Sequence, residues 1–182
     1  MYIYVYTGRT VAVEKNYYTM KKYVDYCTSM ATDDLVDWCH VDEKRIVDVG
    51  LTSTAYYYVG AMLLSRFAKI TGRYDDQTVY AALAEKIKNA FNRKYYKGNG
   101  IYAEGELTAL GCALYQGLVE DSELELVVRS LVESVCDNGC RPDFGILGEK
   151  YVPRALAENG HIDLAFKMIT QSEFPGWMHW LE

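Results

Sequence analysis

Three short stretches hold the side chains best suited to chemistry. Asp37-Trp38-Cys39-His40-Val41-Asp42-Glu43 gathers three carboxylates, an indole and an imidazole in seven residues. Carboxylates accept hydrogen bonds from hydroxyls, and a ring face covers the apolar C–H side of a sugar, so this mixture suits carbohydrate. The same stretch also reads as an acidic capping loop with Trp38 plugged into a core. Glu104 and Glu106 flank Gly105 just before an uncharged helix. Paired carboxylates can be the acid and base of a glycosidase, but favourable charge at a helix N-terminus is the preferred reading. Asp143 is a further loop acid, and Trp177, His179 and Trp180 follow the turn Pro175-Gly176. His179 could bind substrate or orient a carboxylate, or it could pack among its aromatic neighbours.

Other chemistries lack their residues. No His, Asp or Glu spacing makes a metal site, and there is no Cys-x-x-Cys, glycine-rich phosphate loop or Gly-x-Ser-x-Gly elbow, so no cofactor is expected. The net charge of −6 argues against a nucleic-acid partner. The longest uncharged run, Val49 to Ser65, is short and polar for a membrane span, so no membrane partner is expected. Met1 to Tyr6 lacks the basic start and apolar core of a signal peptide, which leaves the compartment open. Cys27, Cys39, Cys112, Cys136 and Cys140 read as reduced, mostly buried thiols, with the last two close across the Asn138-Gly139 turn. The 17 tyrosines suit sugar or interface surfaces, or packing between helices.

Helices must position these residues. Tyr17, Met20, Val24 and Cys27 form one apolar stripe; Val79, Leu83, Ile87 and Phe91 form another; Leu124, Val127 or Val128, Leu131 and Val135 form a third. Between them, Leu51 to Ser65 and Leu107 to Val119 carry no charge, and a helix apolar all round must be covered on all sides. The spacing predicts amphipathic helices near 11–30, 75–95, 121–137 and 161–171, alternating with buried ones near 51–71, 106–117 and 146–158. Pro153 should kink the last buried helix or mark its first turn. Strict alternation predicts an all-α single domain over 1–182 in two layers. Helix hairpins curving into a toroid fit it, about half of a six-hairpin (α/α)6 ring. The loops 32–50, 97–106, 138–147 and 172–182 would then line one mouth. The chain ends on aromatic residues where termini are usually polar, so a central-to-C-terminal fragment of a larger domain is expected. The open sides of a half-ring predict a homodimer.

The stretch from Tyr151 to Trp177, with Leu156-Ala157-Glu158-Asn159-Gly160 and Thr170-Gln171-Ser172-Glu173-Phe174-Pro175-Gly176-Trp177, resembles the bacterial α-L-rhamnosidases, glycoside hydrolase family 78. Their catalytic domain has a similar leucine–x–glutamate–asparagine–glycine and threonine–glutamine–x–glutamate–tyrosine–proline–x–tryptophan run. Gly8 to Tyr26 resembles the family's outer helix, and Thr52 to Tyr58 its threonine–alanine–tyrosine inner helix. Val36-Asp37-Trp38 resembles its glycine–aspartate–tryptophan loop, with Val36 in place of glycine. The resemblance covers nearly the whole chain and is most specific in its final third.

It implies an (α/α)6 toroid and inverting hydrolysis of terminal α-L-rhamnosides, with a general acid and base about 6.5–9.5 Å apart around a water. The family's acid lies in a loop upstream of the first residue here. Its base follows a glycine–alanine–threonine–threonine stretch just past the last, and Glu182 matches the residue before that stretch. Neither catalytic motif is therefore expected in this chain, which by itself should be inactive. The resemblance carries over Asp37 and Trp38, then Trp177 and His179, as substrate-binding residues for a rhamnoside. Competing classes are another toroid carbohydrate enzyme, such as a glucuronyl hydrolase or polysaccharide lyase, using Glu104, Asp143 or His179, and a non-catalytic helical binding scaffold.

Overall fold

Glycine turns end four of the predicted helices, and one side-chain cap starts another early. The structure, a computed structural model, describes residues 2–37 and 47–181, the side chains of residues 2, 3 and 180 excepted. Its helices are α1 (Tyr2–Thr7), α2 (Val11–Met30), α3 (Val49–Ile70), α4 (Tyr74–Tyr95), α5 (Leu107–Tyr115), α6 (Leu124–Asp137), α7 (Ile146–Glu158) and α8 (Ile162–Ile169). The chain is all-α as expected, and α2 to α8 fall within three residues of the predicted bounds. Asp48 starts α3 early: its carboxylate accepts the main-chain N–H groups of Gly50 at 2.7 Å and Leu51 at 3.2 Å. Four helices end on a left-handed glycine (Gly72, Gly117, Gly139, Gly160), after which an N–H reaches back five residues, as from Cys140 to the Val135 carbonyl at 2.8 Å.

Two expectations are corrected, and the alternatives for Pro153 narrow. Residues 97–106 are not all loop: β1 (Tyr96–Gly98) pairs antiparallel with β2 (Ile101–Tyr102). The final segment contains a 3₁₀ helix, Trp177–Leu181. Pro153 lies in the middle of α7 rather than its first turn. There the missing N–H takes the helical donor from the carbonyl of Glu149, an exposed residue.

The chain divides into two compact units, residues 1–37 with 53–91, and residues 38–52 with 92–182. In the first, α3 runs antiparallel to α2: Tyr57 donates to Thr28 at 2.8 Å, while Gly60, three residues on, faces Val24, four residues back. Helices α2 and α4 run parallel, joined by Tyr17 to Asp76 at 2.8 Å and by Tyr80 to Asp25. Burial along α3 is incomplete. Thr19, Met20, Tyr23, Val24, Gly60, Leu63, Leu64 and Phe67 line an almost wholly apolar cleft of about 380 Å³. The expectation that this uncharged helix is covered on every side therefore fails.

In the second unit α5 packs on α7 and α6, and α7 on α8. Residues Thr108 to Ala113 of α5 are all buried. A Cβ on Gly148 would lie 2.6 Å from the Thr108 hydroxyl, and one on Gly111 would lie 3.1 Å from the Val152 main chain. The two contacts advance together, so α5 and α7 run parallel with their N-termini side by side. No disulfide joins the described cysteines: Cys112 and Cys140 are buried and Cys136 exposed, and in the first unit Cys27 is buried.

Candidate functional site

Asp37 ends a tight turn. Thr32 and Leu35 exchange main-chain hydrogen bonds at 2.9 and 3.0 Å, with Asp33 and Asp34 at positive φ between them, as in a type I′ turn. Val36 is then fastened to α3 by one side chain. Its N–H donates to the Thr54 hydroxyl, which donates to its carbonyl, both at 3.1 Å. Thr54 is completely buried and Val36 nearly so, while Asp37 is exposed. Valine replaces the family-like glycine without strain, since Val36 is not at positive φ. Trp38, like His40, Asp42 and Glu43, lies outside the described residues.

The second unit places Trp177 and His179 in a segment leaving α8. Gly176 presses on the main chain of Gln171, where a Cβ would come 2.1 Å from the carbonyl oxygen. Its N–H bonds the Glu173 carbonyl at 2.7 Å, and the His179 N–H bonds the Gly176 carbonyl at 3.2 Å. The His179 ring stands edge-on to Phe174, with centroids 6.0 Å apart. The peptide before Pro175 is cis. Trp177 keeps 43% of its surface exposed and His179 is exposed, so both side chains are accessible to a ligand. Two side-chain bonds join this segment to the turn after α6: Arg141 Nη2 to the Phe174 carbonyl at 3.1 Å, and Gln171 Nε2 to the Gly139 carbonyl at 3.4 Å.

Glu104 and Glu106 form a closed local arrangement. Glu106 is the N-cap residue of α5, yet its carboxylate turns back to accept the Glu104 main-chain N–H at 3.0 Å. The hairpin sets their position: Ala103 donates to the Tyr95 carbonyl at 2.8 Å and Gly105 to the Tyr102 carbonyl at 2.9 Å. Tyr102, within the 97–106 segment expected to line the mouth, is buried against Tyr96 and donates to Asn92. Burial holds its phenol well above the ordinary tyrosine value, so it supports the hairpin as a neutral hydrogen-bond donor. Asp143 is exposed in the connection before α7. Sequence reading missed Thr54 and Arg141, because their partners lie 18 and 33 residues away in the chain. Among the described residues, no three His, Cys, Asp or Glu side chains gather as a metal site would require. No helix among them is long and apolar enough to cross a membrane.

Comparison with known proteins extends these local likenesses to the whole chain. The structure of the alpha-L-rhamnosidase from Dictyoglumus thermophilum superposes with a TM-score of 0.89 at 30% identity, covering 99% of this chain and 22% of that one. The Streptomyces avermitilis alpha-L-rhamnosidase, solved in complex with L-rhamnose, gives 0.85 at 23% identity over 96% of this chain and 17% of its own, a likeness of fold. An alpha-L-rhamnosidase of Formosa agariphila is 25% identical over 97% of this chain and 20% of its own length. The chain thus spans about a fifth of the length of these relatives. Residues 1–182 match, end to end, the family described as the bacterial alpha-L-rhamnosidase 6 hairpin glycosidase domain, and the chain belongs to that family.

Proposed function

We propose that the chain is part of the catalytic domain of a glycoside hydrolase that cleaves terminal α-L-rhamnosides with inversion. The observation that carries this reading is the family match over all 182 residues, and the Dictyoglumus thermophilum likeness supports it. Asp37, Trp38, Trp177 and His179 are the proposed sugar-binding residues. The exposed indole of Trp177 offers a face for the C–H side of a pyranose, and the exposed carboxylate of Asp37 offers an acceptor for sugar hydroxyls. Glu104, Glu106 and Asp143 are not assigned as the acid or base. The Glu106 carboxylate is already engaged with the Glu104 main chain, and the resemblance puts both catalytic glutamates outside these residues. A second copy of the chain is the proposed partner of the apolar cleft on α2 and α3.

The test is hydrolysis of an aryl α-L-rhamnoside. The 182-residue chain should show no turnover, since loss of a general acid or base costs about 10²- to 10⁴-fold. Turnover that copurifies with this species would sink the assignment and return suspicion to Glu104, Glu106 or Asp143. A protein carrying this segment together with both catalytic motifs should release β-L-rhamnose first, as read by NMR of the anomeric proton.

A further inference from the structure

We infer that Arg141 is the positioning residue of the Trp177–His179 wall, an inference that rests on reading that wall as sugar-facing. The bonds inside the segment, from Gly176 to Glu173 and from His179 to Gly176, shape it but do not attach it to anything. Two side chains among the described residues tie it to the turn after α6. The Gln171 bond to Gly139 is long at 3.4 Å, and Gln171 lies at the root of the segment, next to α8. The Arg141 bond to the Phe174 carbonyl is shorter, at 3.1 Å, and its donor is charged, which makes it the stronger of the two. It lands three residues before Trp177, on the residue whose ring meets His179. This contact therefore bears on the position of both Trp177 and His179.

The base from which Arg141 reaches is rigid. Gly139 and Cys140 turn at positive φ, locked by the bonds of Gly139 to Cys136 at 2.9 Å and Cys140 to Val135 at 2.8 Å. The Asn138 side chain donates to the Arg141 carbonyl at 3.2 Å, the Arg141 N–H returns to the Asn138 carbonyl at 3.2 Å, and Pro142 follows buried. The guanidinium projects from this turn onto an exposed surface. Removing it therefore opens no cavity in the core, and the effect of substitution is read at the wall alone.

The experiment uses the 182-residue chain with ¹⁵N-labelled indoles on its 3 tryptophans, the Trp177 resonance being assigned with Trp177→Phe. Arg141→Gln should shift the Trp177 indole N–H resonance toward its solvent-exposed position and narrow it, with the helical thermal midpoint nearly unmoved. L-Rhamnose binding followed at that resonance should weaken roughly three- to tenfold, as for one exposed hydrogen bond lost. Arg141→Lys keeps a donor and should recover part of both effects. A Trp177 resonance that stays in place in Arg141→Gln, or that moves only together with the thermal midpoint, overturns the inference. If the unsubstituted chain shows no L-rhamnose response while the Arg141→Gln shift occurs, the sugar-facing reading fails and the positioning role stands.

Discussion

Thr54 satisfies both main-chain groups of Val36 with one hydroxyl, in a place where water does not reach. Thr54→Val keeps the shape but leaves a buried N–H and carbonyl without partners. It should cost about 1–3 kcal/mol in urea unfolding, and Thr54→Ser should retain most of the stability. A cost near zero for the valine would mean that the turn shifts to find other partners and that Thr54 does not hold Asp37. The sequence brings out Thr52 to Tyr58 as a buried helix and Asp37 as a candidate ligand, because both signals are local. It does not pair them. Nothing in a threonine within an uncharged run says that its hydroxyl faces a loop 18 residues back. The same holds for Arg141, which reads as an ordinary surface charge until its partner at Phe174 is seen.

Helices α2 to α8 are the most legible elements: the amphipathic ones rest on periodic apolar positions and the buried ones on uncharged runs, whereas the short α1 gives neither signal. Nor is the hairpin legible: three residues paired with two give no alternation to read, and it exists through Tyr96 against Tyr102 and the turn at Gly98-Asn99-Gly100. Between elements, the α2–α4 seam is polar where a hydrophobic seam is the default. Tyr17, Lys21 and Asp25 recur every four residues along α2 and meet Asp76 and Tyr80 of α4. The Lys21 ammonium, with help from the Tyr17 hydroxyl, holds the Asp76 carboxyl below its ordinary value of 3.8. A lowered folded-state value means the contribution is complete above pH 3.8 and is lost as pH falls below it. Asp76→Asn should therefore cost about 0.5–1.5 kcal/mol at neutral pH, a figure kept small by the partial exposure of the pair, and progressively less in acid. Urea titrations of both proteins across that range check it. An equal cost at every pH would assign the seam to packing around Tyr17 rather than to charge.

For the molecule as a whole, the apolar cleft of about 380 Å³ predicts association with a second copy. Tyr23, Tyr26 and Met30 of α2 extend its exposed apolar surface. Covering about 400 Å² of such surface at ~25 cal/mol per Å² yields about 10 kcal/mol, comparable with the cost of bringing two chains together. Light scattering over a dilution series should show a dimer that dissociates on dilution; a clean monomer at tens of micromolar would remove the proposal. Segments of the second unit are held with very unequal strength. Helices α5 and α7 meet with no side chain on Gly111 or Gly148 to keep them apart, so their amides belong to the last structure to open. The segment after α8 carries no such helix-to-helix contact and is joined to the turn after α6 by the Arg141 and Gln171 side chains. A ligand that needs Trp177 and His179 where this segment holds them binds only the fraction of molecules in which they are so held. Affinity can then drift up or down through residues that never touch the ligand, while the helical framework stays unchanged.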